Sequence, residues 1–396
     1  MNVVDSSAWL EYLAAAPRAS FFALVSRALF SAVFLATMSG VAVQPVWCQH
    51  STGARLRPPM ARLSEEFTRI IGVRELSDGR VLVADADDHR LVVANLSSNT
   101  VVQIGRRGQG PGEYSQVSSL TALGRDSTLM PDRGNGRSLV LLKDRIVYTY
   151  PPDHPVSATA RGLLRGTDSH GHALFTTSPP IREGKLALGR ADSITALLVT
   201  LATGTPDTVA RLRTAPLSVW TERDSSGKVT RAGLNYPPFS VGEEPLLFPD
   251  GWLAIARLDP YRVDWRAPEG RWVRGPPLPF TARVVNRRER EVYLARKTGK
   301  SGKAETPPPA DSWPPVVPPF QPLPLVAAPD GSLLILRTPT ADSPAHRYDR
   351  VDRRGHLIGW LEVSAMEQLV AIGVYGAYVI TTDDDGIQRL QRHPWP

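Results

Sequence analysis

The sequence is poor in the residues that most often indicate a chemical function. It contains one cysteine, Cys48, so it forms no intramolecular disulfide, and a chain of 396 residues can bury a core that needs none. Only six of its 46 basic residues are lysine. An arginine excess of this kind reflects a GC-rich genome more often than a binding surface. No arginine-rich arm or nucleic-acid-binding motif accompanies the net charge of +7, so we expect no nucleic-acid partner.

Catalytic and cofactor motifs are also missing. The sequence has no G-x-S-x-G serine elbow and no H-E-x-x-H zinc helix. The glycine-rich stretch Ile104–Val117 lacks the Gly-Lys-Ser/Thr of a phosphate-binding loop. Asp85–His89 and Thr382–Gly386 lack the ligand spacing of a calcium loop, and Asp168–His172, with two histidines, occupies the place of a turn. We therefore expect no catalytic residue, no bound metal and no cofactor.

The longest uncharged apolar run, Leu29–Val43, follows Arg27 near the N-terminus. Its length suits a signal peptide and falls short of the ~20 residues of a membrane-spanning helix. Cleavage after Cys48 would start the mature chain near Gln49. We expect residues 1–48 to direct export to the periplasm or the outside, and residues 49–61 to form a linker. An uncleaved membrane anchor is the alternative.

Residues Met1–Ala14 resemble the start of a PIN-domain toxin nuclease, in which the first strand ends in a metal-binding aspartate, here Asp5. The match covers about 14 residues and then stops. The α/β sequence that supplies the other acidic ligands of that family does not follow, and one carboxylate cannot organise a Mg²⁺ site. We expect no nuclease activity.

A turn followed by an alternating apolar strand recurs six times between Asp78 and Thr382. The second residue of each turn lies at positions 79, 126, 171, 251, 331 and 376, so the intervals are 47, 45, 80, 80 and 45 residues. One four-stranded propeller blade takes about 45 residues. The long intervals contain a polar segment, Ser218–Glu244, and a predicted helix, Thr281–Lys297, capped by Thr281 and followed by a proline-rich loop, Glu305–Pro324. We therefore predict six blades; eight blades, two of them degenerate, is the alternative.

Blade one shows the clearest features. Asp85 ends its second strand, Asp88–Leu91 begin the third, and Gly105–Tyr114 form a glycine-rich exit. These features resemble those of the NHL-like six-bladed β-propellers of exported bacterial proteins. The resemblance covers residues 62–396 and implies an all-β, NHL/TolB-like propeller with a helical and proline-rich insertion. The glycines of the exit then serve the passage between blades, and the ring closes by pairing the two ends of the chain.

The same resemblance implies a ligand face, on which the loops after the second strands open. The repeat register places six residues there: Asp85, Asp132, Thr177, Arg257, Arg337 and Thr382. The glycine-rich exit adds Arg106, Arg107 and Glu113. The predicted ligand contacts are Asp85, Asp132, Arg106, Arg107, Arg257 and Arg337, with the arginines facing an anionic group that matches their planar fork.

We thus expect an exported, monomeric and non-catalytic binding module for a small anionic ligand or a protein partner. A lactonase-like propeller hydrolase is one alternative. For that alternative the resemblance implies a carboxylate and asparagine metal site in the central channel, and asparagines are few here. A structural or assembly component of the cell envelope is the other alternative.

Overall fold

The computed structural model describes residues 52–158, 162–177, 181–182, 185–186, 193–214, 218–301 and 308–395. The expected export segment, with Asp5 and Cys48, lies outside these residues. No helix in the described ranges has the length and apolar character needed to cross a membrane.

The first half of the chain forms three four-stranded blades after two short N-terminal strands. In chain order the strands are β1 (Thr52–Arg55), β2 (Ala61–Arg62), β3 (Ile70–Glu75), β4 (Val81–Asp85), β5 (Arg90–Asn95), β6 (Thr100–Gln103), β7 (Arg106–Arg107), β8 (Glu113–Tyr114), β9 (Thr121–Ala122), β10 (Ser127–Asp132), β11 (Arg137–Leu142), β12 (Arg145–Tyr150), β13 (Leu163–Thr167), β14 (His172–Thr176), β15 (Ile181–Arg182), β16 (Lys185–Leu186), β17 (Ser193–Thr200) and β18 (Pro206–Arg213). Blade one is β3–β6, blade two is β9–β12, and blade three is β13, β14, β17 and β18.

The second half forms three further blades and the two insertions. Its strands are β19 (Ser218–Arg223), β20 (Val229–Asn235), β21 (Glu244–Leu247), β22 (Leu253–Leu258), β23 (Tyr261–Arg266), β24 (Trp272–Arg274), β25 (Arg283–Val284), β26 (Val316–Val317), β27 (Phe320–Ala327), β28 (Leu333–Arg337), β29 (His346–Val351), β30 (Leu357–Val363), β31 (Glu367–Ile372), β32 (Ala377–Thr382) and β33 (Gln388–His393). Blade four is β21–β24, blade five is β27–β30, and blade six is β31–β33 with β2. The helices are Pro155–Ala158 and the insertion helix Arg287–Ser301, with 3-10 turns at Arg133–Asn135 and Ala310–Ser312.

The core consists of hydrophobic clusters between neighbouring blades. In β4, Val81 and Val83 pack toward blade six, while Leu82 and Ala84 pack toward blade two. The side chains of a strand alternate between its two faces, so each central strand contributes to two clusters. Among the described residues there are six clusters, one for each pair of adjacent blades, including blades six and one. The six-bladed architecture predicted from the repeat is therefore confirmed.

The two ends of the chain close the ring, as the sequence predicted. Strand β2 pairs antiparallel with β33 and becomes the outermost strand of blade six. The backbone N–H of Leu63 donates to the carbonyl of Leu390 (3.0 Å), and that of Phe67 donates to Gln388 (2.9 Å). Both apolar side chains are 1% exposed and lie in the cluster between blades six and one. Closure thus pairs the edge of β33 and completes one core cluster.

The predicted linker, residues 49–61, contains an additional strand. Strand β1 pairs in parallel with β30 and forms a fifth strand on the outer edge of blade five. A Cβ atom on Gly53 would lie 2.0 Å from the ring of Trp360, so this indole covers the strand closely. The N-terminal part of the described chain therefore adds a strand to each of two blades, β1 to blade five and β2 to blade six.

Two predictions for the second insertion need correction. The helix begins at Arg287, and its N-cap is Asn286, whose Oδ1 accepts a hydrogen bond from the Glu289 N–H (3.0 Å). Thr281 cannot cap it, because the intervening strand β25 pairs with β26. Asparagine is also among the best N-cap residues.

The proline-rich loop ends earlier than predicted, because Phe320–Pro324 belong to β27, the innermost strand of blade five. This strand lies at an edge of its sheet, and its register shifts between Phe320 and Leu325. Prolines are tolerated in a sheet at such edges and bulges, where no ladder hydrogen bond is lost.

Candidate anion-binding site

The glycine-rich exit of blade one is a structural turn bound to blade two. Gly105 and Gly112 have φ values of +61° and +73°, a region that favours glycine. The Arg137 guanidinium donates to the carbonyl oxygens of Gln109, Gly110 and Glu113 at 2.8–3.2 Å. The loop thus directs its carbonyl groups to an arginine and does not present a cradle of N–H groups to a phosphate.

Arg106 and Arg107 form β7, which pairs in parallel with β8 beside this turn. The Nε atom of Arg106 donates to Glu113 Oε1 (2.6 Å), and Arg107 is exposed. The Gly110 N–H and then Arg106 lower the pKa of the Glu113 carboxyl. These two predicted ligand contacts therefore lie on the solvent side of the turn.

The two aspartates predicted on the ligand face are fully buried. Asp85 accepts hydrogen bonds from the N–H groups of Thr68 and Arg69, both at 2.9 Å. Asp132 accepts the N–H groups of Ser115 and Gln116 at 3.0 and 3.1 Å. Each carboxylate fixes the segment that leads into its own blade and, being fully buried, presents no surface to a ligand.

Blade five brings together two arginines and one aspartate at the end of its second strand. Asp349, 1% exposed, accepts from Arg337 Nη1 at Oδ2 (2.7 Å) and from Arg347 Nε at Oδ1 (3.1 Å). The Tyr261 hydroxyl also donates to Oδ2 (3.1 Å). Burial, together with the negative charge of Asp349, raises the pKa of Tyr261 well above its usual value, so this phenol stays a donor.

Arg337 also connects the second insertion to blade five. Its Nε donates to the Pro319 carbonyl (2.8 Å) and its Nη1 to the Pro279 carbonyl (3.3 Å). Its guanidinium carbon lies 5.0 Å from the Tyr261 ring centroid and 5.2 Å from that of Phe280. These contacts hold the guanidinium in one orientation.

Blade four repeats this arrangement of two arginines around one buried aspartate. Asp264 accepts from Arg257 Nε (2.9 Å) and Arg262 Nε (2.8 Å). Burial raises the pKa of Asp264, but the hydrogen bonds from Arg262 and Arg257 outweigh it, and the pKa is lowered. Arg257 also donates to the buried Glu243 (2.7 Å) and does not line the cavity described below. Arg257 is thus committed to two carboxylates.

A second arginine pair comes from the insertion. Asp342, in the loop after β28, accepts hydrogen bonds from Arg283 of β25 and from Arg288 Nη1 of the insertion helix (3.0 Å). Glu289 accepts the Ala341 N–H at 3.0 Å and so attaches the helix to the same loop. Two carboxylates of blade five are therefore each shared by two arginines.

A cavity of about 340 Å³ opens between blade five and the insertion. Arg283, Arg337 and Arg347 line it together with Phe280 and four prolines, Pro279, Pro318, Pro319 and Pro339. The rest of the wall is formed by Thr281, Val317, Thr338, Thr340, Ser343 and Ala345. One side is formed by the loop after the second strand of blade five, one of the loops that were expected from the sequence to open on a ligand face. Its size falls within the ~300–1,000 Å³ of small-molecule sites. Its chemistry suits an anion with an apolar body.

The histidine-containing stretch of blade three forms the turn that the sequence predicted. Asp168 Oδ1 accepts the N–H groups of His170 (2.9 Å) and His172 (2.8 Å), and its Oδ2 lies 2.9 Å from His172 Nδ1. In the described part of the chain, no three His, Cys, Asp or Glu side chains are grouped as a metal site would require.

Arg337 is among the ligand contacts predicted from the sequence, whereas its neighbours Arg347 and Asp349 are not. Arg347 and Asp349, and likewise Arg262 and Asp264, form an Arg-x-Asp pattern at the start of the third strand. Side chains two residues apart lie on the same face of a strand, so this spacing places guanidinium and carboxylate together. The pattern in blades four and five was the available signal. The contribution of Arg283 had no comparable signal, because it depends on how the insertion folds back.

The strand pairing and the site define the chain as a six-bladed β-propeller with an arginine-lined cavity beside blade five. No protein-family model matches the chain, and no curated protein sequence matches it. The PIN-like start therefore has no support.

Solved structures similar in fold include virginiamycin B lyase from Staphylococcus aureus (14% identity, 84% of this chain and 87% of that one, TM-score 0.37). Others are the calcium-binding protein regucalcin from Agrobacterium tumefaciens (11%, 87% and 96%, 0.41) and a member of the DUF4221 family from Bacteroides vulgatus (8%, 85% and 96%, 0.46).

Proposed function

We propose that this protein is a non-catalytic β-propeller binding module that holds a small anionic ligand in the cavity of blade five. The observation that carries the proposal is the cavity itself, in which three arginines meet four prolines, one phenylalanine and four hydroxyl side chains. A guanidinium fork matches a carboxylate or phosphate in a bidentate manner. Prolines restrict the backbone around the ligand, which lowers the entropy lost on binding.

The charge distribution of the chain supports the same site. Thirteen basic residues against five acidic ones lie between Arg257 and Lys303, a stretch that covers much of blade four and the insertion beside the cavity. Such a local excess attracts anions from solution and raises their association rate. The proposal includes export, supported by the apolar run Leu29–Val43 before Gln49, and a monomeric mature form.

Calorimetric titration of residues 49–396 with phenyl phosphate, benzoate and benzenesulfonate tests the binding function. We expect at least one anion to bind, and the uncharged benzyl alcohol to bind far more weakly. In the double variant Arg283→Gln/Arg347→Gln, affinity should fall roughly hundred- to ten-thousand-fold, because two contacts are lost and each charged hydrogen bond contributes about 1.5–3 kcal/mol.

The control is Arg271→Gln, which changes an exposed arginine paired with Glu269 on blade four and should leave affinity unchanged. Failure of all three anions to bind, or equal affinity in wild type and the double variant, would contradict the proposed function.

A further inference from the structure

Four arginines and two aspartates at and beside the cavity leave an excess of two positive charges. Asp349 is shared by Arg337 and Arg347, and Asp342 is shared by Arg283 and Arg288. Each carboxylate neutralises one of its two guanidinium groups, so one positive charge remains in each shared pair. Three of these four arginines line the cavity.

The other acidic groups nearby are occupied elsewhere. Glu362, opposite Arg347 in the β29–β30 ladder, pairs with Arg55 of β1 (3.3 Å). Glu289 accepts the Ala341 N–H and interacts electrostatically with Arg296 of its own helix. The excess of two positive charges therefore belongs to the two shared pairs, three of whose four arginines line the cavity.

Several guanidinium N–H groups remain available to a ligand. Within the residues that the structure describes, Arg347 donates through Nε alone, so both of its Nη atoms lack a protein acceptor. Among the described residues, Nη2 of Arg337 also lacks a protein acceptor, and so do Nε and Nη2 of Arg283. These donors belong to three different side chains that line one cavity.

The position of the two blade-five arginines favours a single, compact anionic group. Arg337 and Arg347 bind the two oxygens of the same carboxylate, so their guanidinium groups are adjacent. Adjacent forks suit one group with several oxygens, whereas a dicarboxylate distributes its two charges over separated carbons. A phosphate monoester carries close to two negative charges at neutral pH and three terminal oxygens that accept hydrogen bonds.

We propose that the ligand is a phosphate monoester joined to an apolar body, with the phosphate among Arg283, Arg337 and Arg347 and the body against Phe280 and the prolines. This inference rests on the proposed binding function and specifies its ligand class. It requires that the cavity distinguish a dianion from a monoanion of the same shape.

Three probes at pH 7.5 test the inference: phenyl phosphate, its monoanionic diester methyl phenyl phosphate, and phenylmalonate. We expect phenyl phosphate to bind at least tenfold more tightly than the diester and more tightly than the dicarboxylate. Equal affinity for monoester and diester, or tighter binding of phenylmalonate, would overturn the phosphate monoester and leave the anion-binding function intact. Absence of binding by all three would count against the function itself.

Variants at Arg347, whose side chain is 40% exposed, provide the second readout. In Arg347→Gln the preference for monoester over diester should fall severalfold, because one of the two excess charges is lost. Arg347→Lys should retain part of the preference, since the charge remains without the fork. An unchanged preference in a glutamine variant that melts like wild type would contradict the role of Arg347.

Discussion

A chain that begins at residue 69 is expected to lose cooperative thermal unfolding, whereas a chain that begins at Arg57 keeps it. The shorter chain lacks β2, which pairs with β33, and it lacks the buried side chains of Leu63 and Phe67. Removing one large core side chain costs about 2–5 kcal/mol, and a whole domain is stable by only about 5–15 kcal/mol. Strand β33 would also expose an unpaired edge.

The chain that begins at Arg57 is the matched control, because it loses β1 and keeps ring closure. It should unfold in a single transition at a moderately lower temperature. Calorimetry of both chains decides the matter: a single sharp transition of wild-type enthalpy in the chain starting at residue 69 would show that the ends do not close the ring.

Asp349→Asn is expected to destabilise the fold by about 3–5 kcal/mol, the usual cost of leaving a buried partner charge uncompensated. Asp349 is 1% exposed and binds Arg337, whose side chain is 19% exposed, in addition to Arg347 and Tyr261. The asparagine keeps the shape of the side chain and removes its charge. Chemical denaturation of both proteins measures the difference.

Asp342→Asn is the control for this substitution. Asp342 also pairs with two arginines, but its side chain is 52% exposed, so solvent screens the interaction. We expect little change in its free energy of unfolding. An equal loss of stability in the two variants would mean that the burial of Asp349 adds nothing to the free energy of unfolding. Asp349 would then not be the structural centre of the site.

The fold was predictable because its signals are local and repeated. Five of the six second strands follow a glycine turn, and strands such as β4, β22 and β28 are continuous apolar runs. Because side chains alternate between the two faces of a strand, such a run fills two blade interfaces. The insertion was less predictable, because its boundaries depend on tertiary contacts. Tyr293 of the insertion helix packs against Phe239 and Trp313, at ring-centroid distances of 4.7 and 5.4 Å, and these residues are distant in sequence.

The candidate site was likewise predictable only in part. Arg337 followed from the repeat register, because every second strand ends on one face. Asp85 and Asp132 shared that register, yet their short side chains turn to backbone N–H groups and are buried. Register locates a residue on a face, but only the neighbouring loops decide whether its side chain faces a cavity or the protein interior.

Anomalous diffraction from crystals soaked in 4-bromophenyl phosphate tests the anion-binding cavity most directly. We expect the bromine peak beside Phe280 and the prolines, with the phosphate in contact with Arg337 and Arg347. A bound molecule at another place on the ring, or an unoccupied cavity at saturating concentration, would contradict the assignment of the binding site to blade five.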